Sequence, residues 1–136
     1  MQSVLIVDSN NDFRKSLSTA LTRNFPDTTF IEAANGLDAV QKAGKFKPNI
    51  VLVDVSLTFL NGLEVIDKVK KIINPACATI VTGINLPEYL EAAKESGVDY
   101  FLPKNSISLA DIMGLVKDLL CCNRNTAQKW RQYRAL

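Results

Sequence analysis

Histidine is absent from the 136 residues, which excludes any catalytic triad needing an imidazole and any zinc centre built on one. Cysteine is sparse and odd in number: Cys77 within an apolar run, then Cys121 and Cys122 side by side. Three such residues make no disulfide framework, so reduced thiols in a cytoplasmic protein are expected. Charge is nearly balanced, and a net +2 is too small to argue for nucleic acid or an anionic membrane. No apolar stretch reaches the length of a membrane span, and the N-terminus has no basic segment leading into an apolar one. What is present, 47% hydrophobic and 22% charged residues, fits one ordinary globular domain with a real core.

The chain alternates between two periods. Short β-rich runs stand at Val4–Asp8, Thr28–Glu32, Ile50–Val55, Thr79–Thr82 and Tyr100–Leu102. Between and after them, apolar residues recur at helical spacing. The stripes are Phe13, Leu17, Ala20 and Leu21, then Leu37, Val40 and Ala43, then Leu63, Ile66, Val69 and Ile73. A fourth holds Leu86, Leu90 and Ala93, and a fifth runs from Leu109 to Leu120. Pro26, Asn35-Gly36, Lys47-Pro48, Asn74-Pro75 and Ser96-Gly97 punctuate this phasing, with Gly97 suited to a left-handed helix end. Strict alternation of this kind predicts an α/β fold of parallel strands joined by right-handed crossovers, with helices on both faces. The continuously apolar Ile50–Val53 fits a central strand.

In such sheets ligands sit beyond the carboxyl ends of the strands. The first strand ends at Asp8, the third at Asp54, the fourth at Thr82, and the fifth runs into Lys104. Singly, each has an ordinary explanation as a turn former, a β-favouring residue or a solvated charge. Together on one rim they imply a purpose, because like charges at short range need a compensating partner. A divalent cation with an incoming phosphoryl group is such a partner. Asp54 can then act as a nucleophile, Thr82 as a hydrogen-bond donor to a phosphoryl oxygen, and Lys104 as its ion-pair partner. A hard cation such as Mg2+ suits carboxylate and carbonyl oxygens.

The stretches "LIVDS", "IVLVDVSLTFLNGLEVI", "TIVTG" and "GVDYFLPK" resemble the receiver domains of bacterial two-component response regulators, the chemotaxis-type regulators in particular, over roughly residues 3–120. The resemblance implies a flavodoxin-like doubly wound, five-stranded parallel sheet of order 2-1-3-4-5. It implies Asp54 as phospho-acceptor, Thr82 as switch hydroxyl, Lys104 as the phosphate-pairing lysine and Phe101 as the aromatic switch residue. Asp8, Asp54 and the backbone carbonyl of Ser56 would hold Mg2+, and Gly62 would close the loop after the acceptor. The implied partners are a sensor histidine kinase or phosphotransfer protein and a downstream target or output domain. A homodimer is left open, and contact of this domain alone with nucleic acid or membrane is not expected. The implied chemistry is self-phosphorylation and slow autodephosphorylation, without turnover of a separate substrate.

The pattern departs from the family at one chemically important place. Ser9 stands where a second acid usually touches the metal, and a neutral hydroxyl is a far weaker ligand for Mg2+. Asp12, one helical turn on, is not expected to reach back. Smaller departures are Thr58 in place of a proline, Asn105 after Lys104, and an apolar Ile84 two residues beyond Thr82, which would hinder an attacking water. One alternative is therefore a receiver-shaped interaction module that no longer cycles. Another follows from "DVSLT", which resembles the nucleophile motif of haloacid-dehalogenase-like phosphatases, although Ser56 stands at their acid–base aspartate. Residues 121–136, with Arg124, Lys129, Arg131 and Arg134 and no acid, are expected to form a basic extension or linker beyond a receiver spanning 1–120, the alternative being a docking helix or a basic contact to nucleic acid with aromatics interleaved. Trp130, Tyr133 and Leu136 would share a side of a short helix there, capped by Asn125 or Thr126.

Overall fold

The computed structural model describes residues 2–54, 62–73, 77–82, 91–92, 94–104, 107–120 and 130–134, with the backbone alone for 77, 78 and 80–82. In chain order it forms β1 (Ser3–Val7), α1 (Asn11–Asn24), β2 (Thr29–Ala33), α2 (Gly36–Phe46), β3 (Ile50–Val53), α3 (Gly62–Ile72), β4 (Cys77–Thr82), β5 (Tyr100–Pro103) and α4 (Leu109–Leu120). A 3-10 turn, Arg131–Tyr133, follows. The fifth apolar stripe of the sequence is thus α4. Leu86, Leu90 and Ala93 of the fourth stripe lie outside the described residues; of the residues beside them, 91–92 and 94–95 are helical.

The strands pair in parallel in the order β2-β1-β3-β4-β5. Alternation of side chains along β1 and β3 divides the core between the two faces. Leu5, Val7, Val51 and Val53 meet Ala39 and Ala43 of α2 and Val65, Ile66 and Val69 of α3. Val4, Ile6, Ile50 and Leu52 meet Leu17 and Leu21 of α1 and Ile112, Leu115 and Val116 of α4. Strands buried on both faces need apolar residues at every position, which is why Ile50–Val53 shows no alternation.

The ends of the elements follow local chemistry. Asn10 caps α1 through its side-chain oxygen, which accepts from Phe13 N at 3.0 Å. Asn35 does the same for α2, accepting from Asp38 N at 2.9 Å, so Asn35-Gly36 opens a helix where the sequence marks only a turn. Gly97 has φ +81°, the left-handed conformation that the sequence suggests there. Strand bounds differ from the sequence reading by one or two residues. Asp8 falls just past β1 because its own carboxylate takes Asn10 N at 2.8 Å and closes a turn.

Candidate functional site

β1 and β3 are neighbours in register, so the residues that follow them, Asp8 and Asp54, emerge side by side. Backbone bonds fix both exits: Asp8 N donates to Ala33 O at 3.1 Å, and Asp54 N to Val7 O at 2.9 Å. β4 and β5 bring Thr82 opposite Pro103, which sets Lys104 at the same rim. Its ammonium lies 2.7 Å from Asp8 Oδ2 and 3.4 Å from Asp54 Oδ2. Two acids, 96 and 50 positions before the lysine in the chain, thus share its ammonium.

Burial gives this cluster its energetic character. Asp8 and Asp54 are 2% and 6% exposed, so neither carboxylate is screened by bulk water as a surface acid would be. Burial pushes the Asp8 carboxyl above its ordinary range, against the lowering effect of its bonds from Lys104 and Asn10 N; the charge of Asp54 raises it further. Among the described residues, Lys104 sets one ammonium against these two buried carboxylates. A small open cleft lies beside them, lined by Asp8, Phe13, Leu17, Val53 and Asp54 among others.

Two supporting side chains carry no signal in the sequence reading beyond helical periodicity. The Phe13 ring centroid is 4.2 Å from the Lys104 ammonium, a cation–π contact that holds the lysine over the acids. Arg14, itself buried, donates from Nη1 to the Asp8 carbonyl at 2.7 Å while its Nε pairs with Glu32 Oε1 at 3.0 Å. Such a brace fixes the backbone from which the Asp8 carboxylate projects.

The other expected residues are distributed as follows. Phe101 is buried with Val98 and α3 on one face of the sheet, not among the charged groups. Gly62 is the first residue of α3. Ser9 and Asp12 are exposed, Asp12 in the first turn of α1. Ser56, Thr58, Ile84 and Asn105 lie outside the described residues, as does the side chain of Thr82. Among the described residues, no group of three or more His, Cys, Asp or Glu side chains could hold a metal, so an ion here would rest on two carboxylates and backbone or water oxygens.

A parallel α/β sheet with two buried acids and a lysine at the carboxyl ends of its strands puts a charged cluster where doubly wound folds bind their ligands. The response regulator receiver domain model matches residues 4–117, and the chain belongs to that family, whose members act in two-component signalling. It is 34% identical over 104 residues to a response regulator receiver protein of Anaeromyxobacter sp., covering 76% of this chain and 43% of that one. Against the chemotaxis protein CheY of Halobacterium salinarum it is 26% identical over 119 residues, 88% of this chain and 97% of that one. A LuxR-family DNA-binding response regulator from Staphylococcus aureus superposes with a TM-score of 0.77 at 27% identity, over 88% of this chain and 98% of that structure. The chain spans about half the length of the first curated relatives, 43% and 54%. Receiver domains are in general non-catalytic signalling modules, which leaves the phosphatase alternative without support. The position of Asp54 after the third strand rather than an early one agrees.

Proposed function

We propose that this chain is a phospho-receiver in which Asp54 accepts a phosphoryl group from a sensor histidine kinase or phosphotransfer protein. The observation that carries the reading is the single ammonium of Lys104 set between Asp8 and Asp54. A carboxylate oxygen of Asp54 attacks phosphorus, the bond from phosphorus to the donor's imidazole nitrogen breaks, and that nitrogen takes up a proton. Lys104 would pair with the arriving phosphoryl oxygens, and its contact with the Phe13 ring supports that position. Thr82, whose backbone ends β4 opposite Pro103, would supply the switch hydroxyl, and Phe101 of β5 would pass the change to the surface of the adjoining helices. Slow loss of the phosphoryl group to water would return Asp54 to its free state.

Two buried carboxylates around one ammonium fit a hard dication, and Asp8 and Asp54, with the Ser56 carbonyl, would hold Mg2+. Such an ion supplies charge neutralisation to the transferring group. A fold neighbour from Burkholderia pseudomallei carries a phosphorylated aspartic acid and a calcium ion, which is consistent with this reading. The exposed Ser9 hydroxyl weakens the site. Residues 1–120 would form the receiver and 121–136 its extension, in a cytoplasmic protein whose output passes to a target protein or an attached domain. No described helix is long and apolar enough to cross a membrane.

Incubation with acetyl phosphate, with and without Mg2+ and read by intact mass, tests this. A phosphoryl adduct on the native chain, absent in Asp54→Asn, is expected. Ser9→Asp should tighten Mg2+ binding by about tenfold or more in calorimetric titration, the scale on which lost metal-site contacts act. No adduct on the native chain, regained in Ser9→Asp, would mark a receiver-shaped interaction module instead. No adduct on either would overturn the reading.

A further inference from the structure

β5 is the edge strand of the sheet, and an edge presents unpaired backbone groups that folded proteins cover. Here the cover comes from far along the chain. Arg134 forms an antiparallel bridge with Tyr100, and its guanidinium lies 6.0 Å from the Tyr100 ring centroid. Trp130 is 6% exposed and packs into the same core cluster as Tyr100, Ile112, Leu115 and Val116. Its indole Nε1 donates to Asp118 Oδ2 at 2.8 Å, in a buried bond. Tyr133 stacks beside it, the ring centroids 6.1 Å apart.

The receiving side is shaped for an indole. A Cβ added at Gly114 would stand 3.3 Å from Trp130 Cζ2, so the absence of a side chain there lets the ring approach α4 closely. A buried tryptophan N–H needs an acceptor, and Asp118, one helical turn after Gly114, supplies a charged one. Charge reinforces the fit. Four of the sixteen Lys and Arg and none of the fourteen acids lie in 121–136, which leaves the first 120 residues with twelve bases against fourteen acids. The indole is buried and so is not offered as a stacking platform for nucleic acid.

We propose that α4 and the open edge of β5 form a recognition surface for an aromatic–basic peptide, and that Trp130–Arg134 is its resident occupant, masking the surface in cis. The proposal does not depend on any chemistry at Asp54. A partner segment of the same character, an indole followed by arginine, would have to displace the chain's own.

A synthetic peptide with the sequence of residues 123–136 can be titrated into the full chain carrying Trp130→Ala, where the peptide holds the only tryptophan. A saturable blue shift of its emission is expected. Binding to the native chain, followed by calorimetry, should be at least about tenfold weaker, because the surface is already filled. Adding Asp118→Asn to Trp130→Ala should weaken peptide binding by about tenfold, the scale of a hydrogen bond to a charged group. Absence of saturable binding to a Trp130→Ala chain with native circular dichroism, or equal binding to the native chain, would overturn the proposal. Should Trp130→Ala not fold, Asp118→Asn alone decides. Increased acrylamide quenching of Trp130 supports the surface, and unchanged quenching rejects it.

Discussion

At the scale of single residues, the decisive group is Asp8. Its carboxyl is more buried than that of Asp54, shares the ammonium of Lys104 and takes a backbone N–H from Asn10. Burial outweighs these partners and raises its pKa above the ordinary 3.8. The folded chain therefore binds the Asp8 proton more tightly than the unfolded chain, and the sign of the linkage follows. Stability from this group is fully present below the ordinary carboxylate range and is lost as pH rises through the folded value. Asp8→Asn keeps the shape and the acceptor oxygen while removing the buried charge. In metal-free buffer its Tm should exceed that of the native chain at pH 7, and the difference should close as pH falls below 3.8. Thermal melts at both pH values check this; a gain that grows toward acid pH contradicts it. Asp8, Asp54 and Lys104 were legible in the sequence, since alternation of elements makes strand ends converge. Phe13 and Arg14 were not, because a ring or a guanidinium turned toward a strand end leaves the same periodic mark as one packed in the core.

At the scale of elements, one residue among those described departs from its intrinsic preference. Lys47 ends α2 in the left-handed conformation, φ 49° and ψ 61°, while its N–H donates to Ala43 O at 2.9 Å. A side chain in that region costs about 1 kcal/mol or more relative to glycine. Pro48 follows at once and forbids continuation of the helix, so the cap is imposed from the C-terminal side. Because Lys47 is exposed, Lys47→Gly should lose no core packing and should raise stability by about 0.5–1 kcal/mol after the added freedom of the unfolded chain is discounted. Urea unfolding at unchanged slope checks it, and a lower midpoint would show that the lysine side chain stabilises the turn. The pair Lys47-Pro48 reveals where the helix ends, but not that a lysine rather than a glycine would occupy the cap. Gly97 was the converse, a glycine whose place after a stripe already indicated its positive φ. The docking of Trp130 on α4 was illegible because it depends on a gap at Gly114 and an acceptor at Asp118, which only the folded helix aligns.

At the scale of the whole molecule, the two apolar clusters are not independent. They take alternate residues of the same strands, Leu5 and Val7 on one side, Val4 and Ile6 on the other, so neither can be exposed while β1 remains paired. Loss of one cluster entails loss of the sheet, and the main unfolding transition should be cooperative and two-state. The Trp130–Arg134 segment is attached differently. It touches the body through a buried hydrogen bond, one bridge and ring contacts, and no strand of the sheet depends on it for pairing. Local opening of such a segment costs less than global unfolding. The single tryptophan should therefore report a transition at lower urea than far-ultraviolet circular dichroism, which follows the helices and the sheet. Raising the salt concentration should widen the gap, because a basic segment against an acidic body loses attraction on screening while the apolar core does not. Coincident curves at low and high salt would mean that the segment is integral to the core, held as firmly as the helix it covers.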